Sequence, residues 1–253
     1  APRTRLDKAM LARGLVASRA RAQDLIRRGL VTVGGVAIDA PGHLVRDADA
    51  VVIADSHAGP PLVSRGAEKL SAAVAHFGFQ PAAKVALDIG ASTGGFTQVL
   101  LAAGAQRVYA VDVGHGQLHP SLAADPRVVA HEGCDARALG AAHVPEPVAA
   151  IVIDVSFISL LKVLPAALAR AGETCWLIAL VKPQFEVGRA HVGKGGIVRD
   201  AAARQRAVEA VERFIAEQPH WRVAGVMPSP IAGGSGNIEF LIGASKGEPP
   251  DVR

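Results

Sequence analysis

From residue 66 onward, the sequence alternates short apolar segments with longer amphipathic ones. The apolar segments have the length of buried strands, and the amphipathic segments between them have helical periodicity. The expected strands are 84–89, 107–112, 127–131, 149–154, 175–181, 221–228 and 237–243, and the expected helices are 67–78, 94–103, 159–170 and 201–217. This alternation predicts a Rossmann-like α/β fold, in which a mostly parallel, seven-stranded sheet binds a ligand beyond the carboxyl ends of its strands.

The first 55 residues have a different pattern, which predicts a small, separate α+β domain. Two short amphipathic helices are expected over residues 5–15 and 19–28, because apolar residues recur there at helical spacing. The pair Gly34-Gly35 lies between alternating segments and indicates a β-hairpin, and a further strand is expected to end near Ile53. The expected organisation is a domain over 3–55, a linker over 56–65, a second domain over 66–243 and a tail over 244–253.

Positive charge is concentrated at the amino terminus. The whole chain has a net charge of +4, whereas residues 1–28 contain eight lysines and arginines and only two aspartates, a charge of +6. The remaining residues therefore sum to −2. A basic block on an otherwise nearly neutral protein indicates a polyanionic partner.

The segments RLDKAML and GLVASRARAQDLIRRGLVTVGGVAI, within residues 3–55, resemble the S4 RNA-binding domain. In such a domain two basic helices precede a hairpin. The resemblance implies that arginines of this region contact the phosphate groups of RNA. The candidate residues are Arg5, Arg19, Arg21, Arg27 and Arg28.

Composition and spacing argue against several other classes of protein. The longest apolar run, Cys175 to Val181, is far shorter than the ~20 residues that a membrane-spanning helix needs. Basic residues from Arg3 to Arg13 interrupt any amino-terminal signal sequence. The two cysteines make neither a disulfide framework nor a metal motif, and the scattered histidines include no zinc motif. We therefore expect a cytoplasmic monomer with no membrane or metal partner.

Residues 87–100, LDIGASTGGFTQVL, join a strand to a helix and fit three known patterns. In a serine hydrolase, Gly90-Ala-Ser92-Thr-Gly94 would be a nucleophile elbow, but no oxyanion loop of the expected kind precedes it. In a dinucleotide-binding protein, a glycine would occupy the position of Ser92, where the backbone approaches a pyrophosphate. A site for a methyl donor is the third possibility, and it accounts for every feature of the stretch.

S-adenosylmethionine would explain the acidic residues as well as the glycines. The glycine-rich turn lets the backbone approach the cofactor, and a carboxylate such as Asp88 suits its positively charged ammonium and sulfonium groups. Asp112, at the end of the second strand, is expected to accept hydrogen bonds from both ribose hydroxyls, and Asp135 to lie near the adenine. The expected cofactor-binding residues are Asp88, Gly90, Ser92, Gly94, Gly95, Asp112, Asp135 and Asp154.

A second glycine-rich segment, residues 188–194, has the spacing that begins a P-loop. Gly195 follows Lys194 where a P-loop has serine or threonine, so the hydroxyl ligand for magnesium is missing. The segment also does not join a strand cleanly to a helix. We expect a glycine-rich loop in which Lys194 contacts RNA.

Four charged residues lie in motifs spread over the second domain. Methyl transfer to a ribose hydroxyl needs alignment of the reactants and a group that draws away the proton, and a lysine can do this when its pKa falls. The motifs are SRGAEKL with Lys69, IVIDVSFISL with Asp154, LVKPQFE with Lys182 and GNIEFL with Glu239. Together with DIGASTGGFT they resemble the Lys-Asp-Lys-Glu ribose 2′-O-methyltransferases of the FtsJ type. With an S4 domain in front, the chain resembles the TlyA family, also called hemolysin A.

The resemblance implies transfer of a methyl group from S-adenosylmethionine to a cytidine 2′-oxygen in ribosomal RNA. The family acts on large-subunit RNA, and some members also on small-subunit RNA. By this resemblance Lys182 activates the hydroxyl, and Asp154 positions Lys182 and the methyl group. Lys69 and Glu239 orient the acceptor ribose and tune the lysine.

Other functions remain open at this point. The older family name suggests a membrane-active haemolysin, although the sequence has no amphipathic pore segment to support it. A catalytically idle RNA-binding factor is a second alternative. A base N-methyltransferase is a third, but Asp154-Val-Ser-Phe157 stands where such enzymes often have an N/D-P-P-Y/F motif. Phe157 and Phe185 follow two of the strands, and either base or cofactor stacking or core packing would explain them.

Overall fold

The structure, a computed structural model, describes residues 3–16, 18–27, 29–53 and 62–247. The chain divides into two compact units, Ala1–Pro61 and Leu62–Arg253. This division falls within the expected linker, 56–65. Most of that linker, together with residues 248–253 of the expected tail, lies outside the described residues.

The amino-terminal unit is a small α+β domain, as the sequence predicts. Its elements are β1 (Thr4–Arg5), α1 (Leu6–Ala12), α2 (Arg19–Arg27), β2 (Val31–Val33), β3 (Val36–Ile38), β4 (Leu44–Val45) and β5 (Val51–Ile53). β1 pairs with β4, and the other strands form a sheet in the order β3-β2-β5. Leu6, Met10, Ile26 and Val31 are completely buried and form the centre of a single core.

One expectation for this unit is confirmed only in part. A strand does end at Ile53, but the segment HLVRDADAVVI, expected to form that one strand, contains two short strands, β4 and β5, which belong to different sheets. A turn separates them, because the backbone N–H of Arg46 donates to the Asp49 carboxylate at 2.7 Å and the N–H of Asp49 donates to the Arg46 carbonyl at 3.1 Å. Aspartate favours such turns because its side chain bonds to nearby backbone.

The second unit contains the predicted seven-stranded sheet. Its helices are α3 (Gly66–Phe77), α4 (Gly95–Ala102), α5 (Pro120–Ala123), α6 (Leu160–Leu168), α7 (Pro183–Glu186) and α8 (Ala201–Ala216). Its strands are β6 (Val85–Ile89), β7 (Arg107–Val111), β8 (Val128–His131), β9 (Val148–Ile153), β10 (Ala171–Val181), β11 (Trp221–Pro228) and β12 (Phe240–Lys246). The strand order is β11-β12-β10-β9-β6-β7-β8, and only β12 runs against its neighbours.

The central strands are buried on both faces, which explains why their sequences are almost continuously apolar. In β6 and β9, Leu87, Ile89, Ile151 and Ile153 lie in the core on one face of the sheet. Ala86, Ala150 and Val152 of the same strands, with Ile178 of β10, belong to the core on the other face. The order of the strands reverses between β6 and β9, so a crevice is expected outside their carboxyl ends.

The last strand begins three residues later than the sequence suggested. β12 covers Phe240–Lys246 rather than 237–243, so the expected domain boundary at residue 243 falls inside it. Residues 237–239 form a loop instead, in which Asn237 and Glu239 are 1% and 3% exposed. These polar side chains bond to other segments, and that fixes the loop ahead of the strand.

Candidate active site

The expected site residues follow strands that end at one edge of the sheet. β6, β7, β9 and β10 are parallel, so Asp112, Asp154 and Lys182 emerge at their common carboxyl edge. β12 is antiparallel to β10, with Phe240 opposite Val181, so Glu239, the residue before β12, lies at the same edge. The fold thereby brings together residues that are far apart in sequence.

The glycine-rich turn after β6 is closely packed against neighbouring segments. Gly90 has φ +82° and lies so near Asp154 that a Cβ at this position would overlap the Asp154 carbonyl oxygen. A Cβ on Gly94, which has φ +100°, would overlap Leu122, and one on Gly95 would overlap the Ser64 hydroxyl. Gly90 and Gly94 are favoured by backbone conformation as well as by space, whereas Gly95 is favoured by space alone.

Ser92 supports the turn through its backbone. It adopts φ +50°, and its N–H donates to Asp112 Oδ2 at 2.8 Å. Its hydroxyl oxygen lies 3.3 Å from Gln117 Oε1 and not beside a histidine. This arrangement does not support a nucleophilic serine, which needs an adjacent base.

Asp88 lines neither of the two cavities beside the glycine-rich turn, so it is not placed to contact a cofactor directly. Its side chain is completely buried, and Oδ2 accepts a hydrogen bond from the Thr97 hydroxyl at 2.7 Å. Oδ1 is buried without a hydrogen-bond partner in the described structure. Burial raises the pKa of Asp88 from 3.8 to about 7. The geometry assigns Asp88 to support beneath the turn, joining β6 to α4.

Asp112 and Asp135 line the larger of two adjoining cavities, of about 400 Å³. Asp112 accepts backbone hydrogen bonds from Ser92 and Gly114, at 2.8 and 2.7 Å, one on each oxygen. Asp135 pairs with Arg137 at 2.6 Å, and these hydrogen bonds lower its pKa to about 2. Apolar side chains, including Val113 and Ile158, complete the lining.

The four expected catalytic residues form two ion pairs. Lys69 Nζ lies 2.5 Å from Glu239 Oε2, and both side chains are almost completely buried. Lys182 Nζ lies 2.6 Å from Asp154 Oδ1 and donates a hydrogen bond to the Ser156 hydroxyl at 2.9 Å. Each lysine is therefore held by a carboxylate in a site that excludes most water.

Asp154, the partner of Lys182, lines both cavities, whereas Lys69 of the other ion pair lines one of them. A smaller cavity, of about 220 Å³, is lined by Lys69, Arg65 and the glycine-rich turn. Gly90, Ser92 and Asp154 line this cavity and the larger one. The arrangement provides space for two ligands that meet at Asp154.

Known proteins resemble this chain over most of its length. The FtsJ-like methyltransferase family matches residues 62–246, and the S4 domain family matches residues 4–51. The 16S/23S rRNA (cytidine-2′-O)-methyltransferase TlyA of Mycobacterium tuberculosis is 46% identical over 243 residues, which cover 96% of this chain and 90% of that protein. Hemolysin A of Brachyspira hyodysenteriae is 39% identical, over 94% of this chain and 98% of its own length.

The chain belongs to the TlyA family of FtsJ-like methyltransferases. A solved structure from Streptococcus thermophilus, named a hemolysin, has a TM-score of 0.70 and 39% identity to it, covering 99% of this chain and 92% of that one. The family assignment made from the sequence motifs is thus confirmed.

Two residues that support the TlyA-family site were missed from the sequence. Glu186 of α7 accepts hydrogen bonds from the Ser159 hydroxyl at 2.6 Å and the Leu160 N–H at 2.8 Å. It thereby ties the segment that carries Lys182 to the start of α6. Asn237 accepts from the Val198 N–H at 3.0 Å and donates to the Gly196 carbonyl at 2.9 Å. Both lie within the motifs that carry Lys182 and Glu239, but only the folded structure reveals their partners.

Phe157 is exposed, so the core-packing alternative is wrong for this residue. Its side chain is 90% exposed, its backbone has φ +64°, and it lines the larger cavity. The Phe185 ring lies 5.0 Å away, centroid to centroid, in a tilted arrangement. A large aromatic side chain held in an unfavourable backbone conformation at a cavity mouth is available for stacking.

Lys194 lies in an exposed loop that follows α7. The loop contains two short 3₁₀ turns, Arg189–His191 and Lys194–Gly196, rather than the strand-to-helix junction of a P-loop. Asn237 fixes its far end through Gly196 and Val198. Exposed Lys194 is available to a polyanion, but no described contact assigns it a partner.

The arginines of the S4 domain differ in their surroundings. Arg5 and Arg19 are about half exposed and both contact Asp7, whereas Arg21 pairs with Asp24 at 3.1 Å. Arg27 is exposed at the end of α2, and Arg28 lies outside the described residues. In the sequence Asp7 is only one of two negative charges in the basic block, but in the structure it contacts both Arg5 and Arg19.

Two further properties concern the described part of the TlyA-family chain. No helix there is long and apolar enough to cross a membrane. No group of three or more histidine, cysteine, aspartate or glutamate side chains among those residues is arranged to hold a metal ion.

Proposed function

We propose that this methyltransferase transfers a methyl group from S-adenosylmethionine to a cytidine 2′-hydroxyl in ribosomal RNA. The observation that carries the proposal is that Asp154, paired with Lys182, lies where two cavities meet, while Lys69, paired with Glu239, lines the smaller cavity. The activity for which the Mycobacterium tuberculosis relative is named supports the choice of acceptor. The S4 domain supports an RNA substrate, and such a substrate would place the protein in the cytoplasm.

The larger cavity suits S-adenosylmethionine. Each oxygen of Asp112 accepts one backbone N–H and retains acceptor capacity for a ribose hydroxyl. Asp135 and the apolar residues Val113 and Ile158 provide a polar edge and a flat apolar lining for an adenine. When bound, S-adenosylmethionine supplies an electrophilic methyl group on a sulfonium centre.

The family resemblance and the positions of the four charged residues support the following roles. Lys182 is assigned to withdraw the proton from the acceptor hydroxyl, and Asp154 holds Lys182 beside both cavities. Lys69 lines the smaller cavity and is assigned to orient the acceptor ribose, while Glu239 holds Lys69 in place. Preorganised charges in a site that excludes water lower the barrier because they need no rearrangement during the reaction. Phe157 is assigned to stack on the target base or the cofactor.

Cofactor binding is tested by Asp112→Ala. We expect affinity for S-adenosylmethionine to fall at least about tenfold, since charge-assisted hydrogen bonds contribute about 1.5–3 kcal/mol. Asp125→Ala is the matched control, because Asp125 also accepts a backbone N–H but lines neither cavity. Calorimetric titration measures both variants, and equal affinities would contradict the ribose contact.

The reaction is tested by transfer of labelled methyl groups to purified ribosomal RNA and to separate ribosomal subunits. We expect labelled 2′-O-methylcytidine after nuclease digestion. An RNA with 2′-deoxycytidine at the labelled position should accept no label. Label on that RNA would indicate methylation of the base instead, and RNA binding without label would indicate a catalytically idle factor.

A further inference from the structure

A buried carboxylate lies beneath the basic surface of the S4 domain. Asp7, in the first turn of α1, has a relative exposure of 0%. It lies next to β1, which carries Arg5, and against the first turn of α2, which begins at Arg19. A buried charge is costly unless donors surround it, so its partners define its role.

Three side chains donate hydrogen bonds to Asp7. Arg5 donates through two nitrogens, Nε to Oδ1 and Nη2 to Oδ2, each at 3.1 Å. Arg19 Nε donates to Oδ2 at 2.9 Å, and Gln23 Nε2 donates to the same oxygen at 2.8 Å. The hydrogen bonds from Arg5 are the main reason that the pKa of Asp7 lies well below its usual range. One carboxylate therefore holds two guanidinium groups side by side.

Both arginines keep a large part of their surface in water. The side chains of Arg5 and Arg19 are 44% and 46% exposed. A guanidinium has five N–H donors, and Arg19 uses only Nε on acceptors in the described part of the chain. By contrast, Arg13 is occupied by three backbone carbonyls, those of Arg46, Asp47 and Asp49. In the Arg5–Asp7–Arg19 cluster, Asp7 therefore anchors both arginines, and both remain partly exposed to water.

We propose that Asp7 is a positioning residue that holds Arg5 and Arg19 together as one binding site for RNA phosphate groups. The proposal rests on the proposed function, in which the S4 domain binds ribosomal RNA. Two guanidinium groups repel each other, and a carboxylate between them offsets that repulsion. A free arginine also loses side-chain entropy when it binds a phosphate, and anchoring removes part of that cost in advance.

The proposal and a simple count of charges predict opposite changes in RNA affinity for one substitution. Asp7→Asn makes the domain more positive, so charge alone predicts tighter binding to RNA. Positioning predicts weaker binding, because asparagine has one acceptor oxygen where Asp7 has two. Asp47→Asn makes the same change of charge at an exposed aspartate outside the cluster.

The experiment measures binding of both full-length variants to deproteinised large-subunit ribosomal RNA over a range of KCl concentrations. We expect the dissociation constant of Asp7→Asn to rise about tenfold, the equivalent of one charge-assisted hydrogen bond. Asp47→Asn should bind as tightly as the wild type or slightly more tightly. Asp7→Asn should also have the shallower dependence on salt, because fewer phosphates are neutralised.

Equal binding by Asp7→Asn and Asp47→Asn would overturn the positioning role. Methyl transfer by the wild type, measured in parallel, then reports on the proposed function independently. If the wild type methylates RNA and Asp7→Asn binds RNA as tightly as the wild type, only the positioning role of Asp7 is contradicted. A wild type that binds no ribosomal RNA would overturn the RNA contact and the positioning role together.

A second pair of variants covers the case in which Asp7→Asn does not fold, as judged by circular dichroism. Arg19→Lys keeps the charge but loses the fork that reaches Asp7 and a phosphate at once. Arg46→Lys makes the same change at an exposed arginine of the same domain that is outside the cluster and is not among the candidate RNA contacts. We expect severalfold weaker RNA binding only for Arg19→Lys, and equal effects of the two variants would contradict the proposal.

Discussion

Lys182 lies between two oxygen atoms, the Asp154 carboxylate at 2.6 Å and the Ser156 hydroxyl at 2.9 Å. The motif LVKPQFE identifies the lysine as a candidate, but only the structure adds Ser156 as its second partner. Together the two oxygens orient the ammonium group beside the cavities. A residue held in this way contributes to rate through its position as well as through its basicity.

We expect Lys182→Ala to reduce methyl transfer at least about a hundredfold, the usual contribution of a general acid or base. Affinity for S-adenosylmethionine should stay close to that of the wild type, since Lys182 does not line the larger cavity. Lys162→Ala, at an exposed position on α6, is the control. Retained turnover by Lys182→Ala, measured with labelled methyl groups, would exclude the proposed role.

Asp88 makes stability depend on pH. Its pKa is about 7 in the folded protein and 3.8 as an unperturbed side chain. Between these values the unfolded state has lost the proton and the folded state has kept it. The free energy of unfolding should therefore fall as pH rises from about 4 to about 7.

Asp88→Asn should remove this decline, because asparagine does not titrate and can still accept a hydrogen bond from Thr97. The stability difference between wild type and variant should change with pH by at most about 4 kcal/mol. Urea unfolding at several pH values measures it. Asp125→Asn should show the opposite trend, since Arg127 lowers the pKa of Asp125. If the free energies of unfolding of the wild type and Asp88→Asn changed in parallel with pH, the proposed titration of Asp88 would be refuted.

At the scale of elements, the site depends on how closely the segments after β6 and β9 approach each other. The Asp154 N–H donates to the Ile89 carbonyl at 2.9 Å, and Gly90 leaves no space for a side chain. Glu186 makes a similar link between α7 and α6, because its carboxylate bonds to Ser159 and Leu160. The positions of Asp154 and Lys182 follow from these junctions.

Gly90→Ala tests the first junction. Gly104 is the matched control, because its φ of +85° is close to the +82° of Gly90, while its added Cβ would meet nothing nearer than 3.6 Å. We expect Gly104→Ala to cost about 1–2 kcal/mol of stability from backbone strain. Gly90→Ala should cost at least about 1 kcal/mol more from overpacking and should also lower turnover. Equal effects in thermal unfolding would mean that close packing at Gly90 is unimportant.

At the scale of the whole molecule, basic charge and catalytic chemistry belong to different units. The S4 domain carries the arginines near Asp7, whereas both ion pairs and both cavities belong to Leu62–Arg253. The expected consequence is that cofactor binding and RNA affinity can be separated by removing one unit.

A protein consisting of residues 62–253 should bind S-adenosylmethionine as the full chain does. Its affinity for ribosomal RNA should be lower and should depend less steeply on salt, because the phosphate contacts of the S4 domain are lost. Binding titrations between about 50 and 200 mM KCl measure the slope. An unchanged slope would show that the basic amino terminus does not contact RNA.

The sequence alone determined the order and type of the main elements, because the period of apolar residues is a local property of helices and strands. Its motifs also identified Lys69, Asp154, Lys182 and Glu239 as candidates and the chain as a member of its family. Only the tertiary structure paired Lys69 with Glu239, 170 residues away, and gave Asp7 and Asp88 their buried positions. Such partnerships arise where separate elements meet, since the same short sequence can place a carboxylate in water or in the core. The local pattern therefore specifies the elements, and packing between them decides which charges touch.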